Sequence, residues 1–251
     1  MLRTPMRRIV QRAALAVVVV ALAATAGAQD TCVWIMPDPG NWFDEFMWDP
    51  HVPGPDDTAV LFSFGPVEIG GGQAEAEVLI LGAHPGEVGD VSLSGTGALV
   101  ATWESIGENG IGMFTQTGGT HTGINSLRLG LNAGAEGTYT LSEGDLAATW
   151  TNVGYHGTGT FTQTGGTHTV AGDLVVGREE AGQGTYTLSG TGTLTTDGTW
   201  VGNRGTGTFT QNGGTHDVAQ TLTLGGEATG QGTYVLNDGA LTTGATTVGA
   251  L

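Results

Sequence analysis

The chain has 251 residues, no Lys, and seven Arg against 24 acidic residues, for a formal net charge of −17. Nucleic acid and anionic membrane surfaces are poor partners for it, because both are neutralised by Lys and Arg. The single Cys32 excludes an internal disulfide and a zinc site built from cysteines, and 46 Gly oppose long helices.

Arg3, Arg7, Arg8 and Arg12 precede an apolar run from Ala13 to Ala24, and Ala26-Gly27-Ala28 supplies a small-x-small cleavage pattern. Residues 1–28 therefore read as a secretory signal peptide. The run is shorter than the roughly 20 residues a membrane span needs, so no transmembrane span is expected in the mature chain. Cleavage would leave 24 acids and three Arg. Gln29-Asp30-Thr31 lack the small apolar character of a lipobox, so Cys32 reads as a free or structural thiol.

Residues 29–66 form a distinct entry segment, with six of the eight Pro and three of the six Trp (Trp34, Trp42, Trp48). An aromatic ligand site and a plug over the end of a repeat array both fit this composition. The plug is preferred, because solenoids need their terminal strands covered.

Residues 67–251 are repetitive. Gly159-Thr-Phe-Thr-Gln-Thr-Gly-Gly-Thr-His168 returns almost unchanged from Gly207 to His216, and an earlier copy runs from Gly112 to His121. Related units start at Gly137, Gly184 and Gly232 with Gly-Thr-Tyr. The first aromatics are Phe114, Tyr139, Phe161, Tyr186, Phe209 and Tyr234, spaced 25, 22, 25, 23 and 25 apart, with weaker copies at Val91 and Val67. Two flavours of unit thus alternate. Within a unit, Thr and Val alternate with apolar residues over short stretches that paired Gly interrupts, which predicts three short strands and three corners. That is one coil of a right-handed parallel β-helix. About eight coils are expected, stacked at about 4.8 Å. The alternative is a β-propeller fragment with one blade per double unit, but too few double units are present to close a propeller.

The motif Gly-Thr-Phe-Thr-Gln-Thr-Gly-Gly-Thr-His-Thr-Val, followed by a Leu-x-Val-Gly strand and Gly-Thr-Tyr-Thr-Leu-Ser-Gly, resembles repeats of autotransporter-like and adhesin-like secreted bacterial surface proteins. The resemblance covers about residues 60–249 and implies a β-helix with a structural or adhesive role. The sequence stops inside a coil, which reads as truncation at the C-terminus and leads us to expect end-to-end self-association.

Three groups of residues invite chemistry. His121, His168 and His216 recur in alternate coils, about 9.6 Å apart, too far to share one ion. They read instead as inward residues that, with Gln116, Gln163 and Gln211, satisfy each other or the corner backbone. Asp145, Asp173, Asp197, Asp217 and Asp238 fall at different places in their coils and do not build a catalytic carboxylate patch. Arg178 and Arg204, near Glu179 and Glu180, read as surface pairs. Trp103, Trp150 and Trp200 recur in the Tyr-type coils and are the candidate glycan-binding face, although Trp200 sits two residues out of place; packing at a corner is the competing account. The expectation is an exported extracellular or cell-surface structural or adhesion-type protein with no catalytic residues, metal or cofactor. A polysaccharide-binding module, or less so a polysaccharide lyase or hydrolase, is the alternative. Surface polysaccharide or another matrix component is the expected partner.

Overall fold

Alternating Thr, Val and Leu give strands that bury every second side chain, and Gly lets the backbone turn and pass close to its neighbours at the corners. In the computed structural model, which describes residues 29–36, 38–62 and 65–249, sixteen strands run between Thr31 and Val248. The described residues are all-β with no helix and form a β-solenoid of about nine turns. The signal peptide reading falls on residues 1–28, outside the described residues. No helix among those described is long and apolar enough to cross a membrane.

The strands stack in three columns, with parallel pairing between successive turns. In the first column, Val67, Val91, Phe114, Tyr139, Phe161, Tyr186, Phe209 and Tyr234 stand in register. In the second, Ala74, Leu99, His121, Leu146, His168, Leu194, His216 and Leu241 do so. In the third, Leu61, Leu81, Ile106, Leu129, Val153, Val176, Val201, Leu224 and Val248 do so. Coil-to-coil parallel stacking is the β-helix arrangement and leaves no place for propeller blades, whose strands pair within one blade.

Two features differ from the expectation. Several strands do not stop at the corners: Ile111–Leu129, Glu136–Val153, Thr206–Leu224 and Gln231–Val248 each continue around one or two bends. Pairing with the next turn persists there through register shifts, for example between Leu141 and Glu143, so the glycines bend the strand without ending it. The stacking also begins before residue 67. Thr31–Trp34 pairs in parallel with Thr58–Leu61, which pairs with Gln73–Leu81. Within this first part, Trp48–Asp49 runs antiparallel to Thr31–Trp34. Trp34, Trp42 and Trp48 are buried against one another, with Trp48 4.9 Å from Trp42 and 5.3 Å from Trp34. They form a buried cluster and present no aromatic surface to a ligand.

The interior is built from stacked rings. Phe114, Tyr139, Phe161, Tyr186, Phe209 and Tyr234 lie 4.6–4.9 Å apart and 3–6° from parallel. Each Tyr brings a hydroxyl that needs partners, and the preceding coil supplies them. Tyr139 Oη donates to Gln116 Oε1 at 2.6 Å and lies 3.0 Å from His121 Nδ1. Gln163 and His168 serve Tyr186 in the same way, and Gln211 and His216 serve Tyr234. The glutamine amide nitrogens donate to corner carbonyls, as Gln163 Nε2 does to Gly166 and Thr193. That fixes each Gln oxygen as the acceptor of the Tyr proton, so the His Nδ1 carries a proton and donates to the hydroxyl oxygen. The remaining nitrogen accepts from a threonine: Thr151 for His168 and Thr199 for His216, both at 3.2 Å. Gln and His both point inward, but only Gln bonds the corner backbone; His bonds side chains alone, and what links the two is the Tyr of the following coil.

Candidate functional site

The outer side of the third column carries the candidate ligand face. Trp103 and Trp150 pair in register with the same residue, Ser126, on the coil between them. The outward positions of these strands therefore stack the two indoles one coil apart on each side of Ser126. They are 37% and 44% exposed, so they are surface aromatics and not corner packing.

Trp200 does not join them. It pairs with Val175 and Thr223, in the row that also holds Ser105, Arg128 and Asn152, two residues further along the strand than the Trp103 row. Its ring packs over the corner at Gly226, where an added Cβ would meet the indole at 2.8 Å. The aligned column of three is therefore a pair plus a displaced third.

Arg128 and Tyr155, which the sequence does not single out, join Arg178 on this face. Arg128 places its guanidinium carbon 5.4 Å from the Trp103 ring centre and 5.8 Å from that of Tyr155, and Arg178 lies 5.2 Å from Tyr155. The result is an alternation Trp103, Arg128, Tyr155, Arg178, in which each cation faces a π-system. Trp103, Ser126, Arg128, Trp150, Asn152, Tyr155 and Arg178 together line one open, shallow depression. Arg128 Nε donates to Ser126 Oγ at 3.1 Å, and Arg178 Nη1 donates to Asn152 Oδ1 at 2.7 Å. Arg178 Nε is buried and makes no hydrogen bond. Surface pairing describes Arg204, which lies 3.3 Å from Glu179 and 3.8 Å from Glu227. It describes Arg178 only in part, at 3.6 Å from Glu179, and no ion pair to Arg128 is present among the described residues. Tyr155 follows the third-column strand at a corner, and its sequence neighbours give no hint that two arginines from adjacent coils will flank it.

The three repeated histidines are interior residues, each separated from the next by a coil that carries Leu at that place. Burial, then the charges of His216 and His121, holds His168 down at about 3, and burial does the same to His216. Burial also pushes the Tyr139 and Tyr186 hydroxyls well above their ordinary range. His168, His216, Tyr139 and Tyr186 therefore stay neutral and hydrogen-bonded at ordinary pH.

A second cluster lies in the entry segment. Cys32 Sγ is 3.6 Å from His51 Nδ1, and His51 Nε2 is 3.2 Å from Asp30 Oδ2. The order thiol, imidazole, carboxylate is that of a nucleophile with its base. The thiol is fully buried, however, and burial followed by the Asp57 charge pushes it up to about 11, which makes it a poor nucleophile.

Comparison with protein-family models, with curated proteins and with solved structures gives no match. The likeness to surface-protein repeats rests on the motif itself.

Proposed function

We propose that this chain is an exported, non-catalytic element of a bacterial surface or extracellular matrix that holds polysaccharide across the Trp103–Trp150 face. The observation that carries this reading is the alternation of Trp103, Arg128, Tyr155 and Arg178 beside Trp150 on an open face of a stiff β-stack. Apolar C–H faces of a sugar ring stack on an exposed indole, while guanidinium, Asn152 and Ser126 groups meet the ring hydroxyls. A shallow face suits an extended chain that lies across it, where a small molecule would need a deeper, more enclosing cavity. The 24 acids and three Arg left after cleavage repel a densely anionic polymer, so the preferred ligand is neutral or sparsely charged. The repeat motif, the basic start and the short apolar run support export and a surface role of the adhesin-like kind.

Affinity electrophoresis or pull-down on a panel of insoluble and soluble polysaccharides tests the binding reading. Replacing Trp103 and Trp150 by Ala should abolish retention and leave the β-type circular dichroism unchanged. Replacing Trp200 by Ala should leave retention intact. Failure of the parent chain to bind any polysaccharide in a broad panel, neutral or acidic, would sink the reading.

A further inference from the structure

We propose that Cys32, His51 and Asp57 form a binding site for one divalent transition-metal ion of the zinc type, with Asp30 orienting the histidine. One donor atom from each of the three residues lies within 4.8 Å of the other two. Zinc holds thiolate sulfur at about 2.3 Å and imidazole nitrogen at about 2.0–2.1 Å, so tetrahedral ligands of these kinds stand about 3.6 Å apart. Cys32 Sγ and His51 Nδ1 are 3.6 Å apart. His51 Nδ1 and Asp57 Oδ2 are 3.8 Å apart, where about 3.4 Å would be ideal. The imidazole side chain is 48% exposed and has room for that adjustment.

The surroundings have what a metal centre requires beyond its ligands. A ligating histidine is usually held by a carboxylate on its other nitrogen, and Asp30 Oδ2 sits 3.2 Å from His51 Nε2. Asp57 is fixed by two backbone donors: Asp30 N–H to Oδ1 at 3.1 Å and Gly54 N–H to Oδ2 at 2.8 Å. Its carboxylate is therefore aimed before any ion arrives. Cys32 and Asp57 are buried while His51 is open to solvent, so an ion enters past the imidazole. The only ion-pair partner of Asp30 and Asp57 among the described residues is His51 itself. Without an ion, His51 Nδ1 lies 2.9 Å from the Val52 carbonyl; on binding, the ion replaces the Nδ1 proton and the thiol proton, and both leave to solvent. Three protein ligands leave a fourth position for water.

In the sequence Cys32 reads as a free or structural thiol, because a single cysteine builds no multi-cysteine site. The cluster forms only when Thr31–Trp34 and Thr58–Leu61 pair and bring Cys32 beside Ala59, next to Asp57.

Cobalt(II) is the probe, titrated into the full chain under reducing conditions. We expect a thiolate-to-cobalt charge-transfer band that saturates at one ion per chain and that zinc displaces. Cys32→Ser should abolish the band, and His51→Ala, at an exposed side chain, should weaken binding at least tenfold without loss of β-type circular dichroism. Asp30→Asn should weaken it about 10- to 100-fold. His84→Ala, at another exposed histidine–carboxylate pair, should leave it unchanged. No charge-transfer band at saturating cobalt, or affinity unaltered by His51→Ala, overturns the proposal. Binding without the sulfur band means that only surface carboxylates hold the ion, and this also overturns it.

Discussion

Glu104 shows how a single residue can depart from a repeat. Its place in the third column is taken in other coils by Leu127, Thr151, Leu174 and Thr199. Where Thr151 and Thr199 offer a hydroxyl to a histidine, Glu104 Oε1 meets His121 Nε2 at 2.6 Å, and Glu104 Oε2 is buried with no partner. An unpartnered buried oxygen costs about 1–3 kcal/mol. Glu104→Thr should therefore recreate the contact seen at His168 and raise the unfolding free energy by about 1 kcal/mol after the smaller side chain is allowed for, read as a higher urea midpoint. A lowered midpoint would show that the carboxylate supports this coil. His168 and His216 set a pH dependence. Above pH 6.5 they are neutral in both folded and unfolded chains. Between 6.5 and about 3 only the unfolded chain takes up their protons, so stability falls as pH falls and this contribution levels off below about 3. Each adds a slope of about 1.4 kcal/mol per pH unit. Replacing both by Leu, the residue at this place in the neighbouring coils, should flatten the slope between pH 6 and 4 even if overall stability drops. Urea titrations across that range measure it.

At the scale of an element, the corner glycines decide whether a coil can seat itself on the one before. A Cβ on Gly159 would lie 2.0 Å from the backbone nitrogen of Gly154, which is no flexible neighbour. Gly134 has φ +83° and nothing within 4 Å of an added Cβ. Gly159→Ala should therefore cost about 3 kcal/mol or more through overpacking, while Gly134→Ala should cost about 1–2 kcal/mol from backbone strain alone. Denaturant midpoints of the two variants decide it; equal losses would mean that the coils adjust to the extra methyl. Period-two alternation around Phe161 and the Gly-Gly breaks identify strands and bends, because those signals are local. That Glu136–Val153 continues through its corners is not local: it depends on pairing with the turns on either side, which hold the backbone extended across the glycines. The candidate face divides in the same way. Trp103 and Trp150 stand out by their spacing, but Tyr155 and Arg128 gain their roles only from coil-to-coil contact. Trp200 shows how a two-residue shift within a repeat moves a side chain to another row.

For the whole molecule the alternation of flavours acts as a rule of parity. Every Tyr coil follows a coil that supplies Gln and His, so the unit of construction is two turns. Solenoid stability is close to a sum of coil and nearest-neighbour terms, which makes the rule testable by excision. Removing residues 159–206 joins Thr158 to Gly207 and sets Phe209 where Phe161 was, with Gln211 and His216 in place of Gln163 and His168. This chain should fold with a single cooperative transition. Removing residues 159–183 joins Thr158 to Gly184 and stacks Tyr186 directly on Tyr139, over Leu141 and Leu146, with its hydroxyl buried and unpartnered. The single-turn deletion should be less stable than the double-turn deletion although it removes fewer residues. Circular dichroism with urea unfolding compares them, and the opposite order would dismiss the rule.

The direction of the backbone pairing has a mechanical consequence. Strands lie across the long axis of the stack, and the hydrogen bonds that join one turn to the next run along it. Tension applied along that axis would load those bonds end-on, one turn at a time, so the stack should peel at modest force in steps of one coil's contour length. Sideways bending or compression meets the close-packed ring column and all three walls together. Such a stack is suited to act as a strut under bending or compression and ill suited to act as a rope under tension along its length.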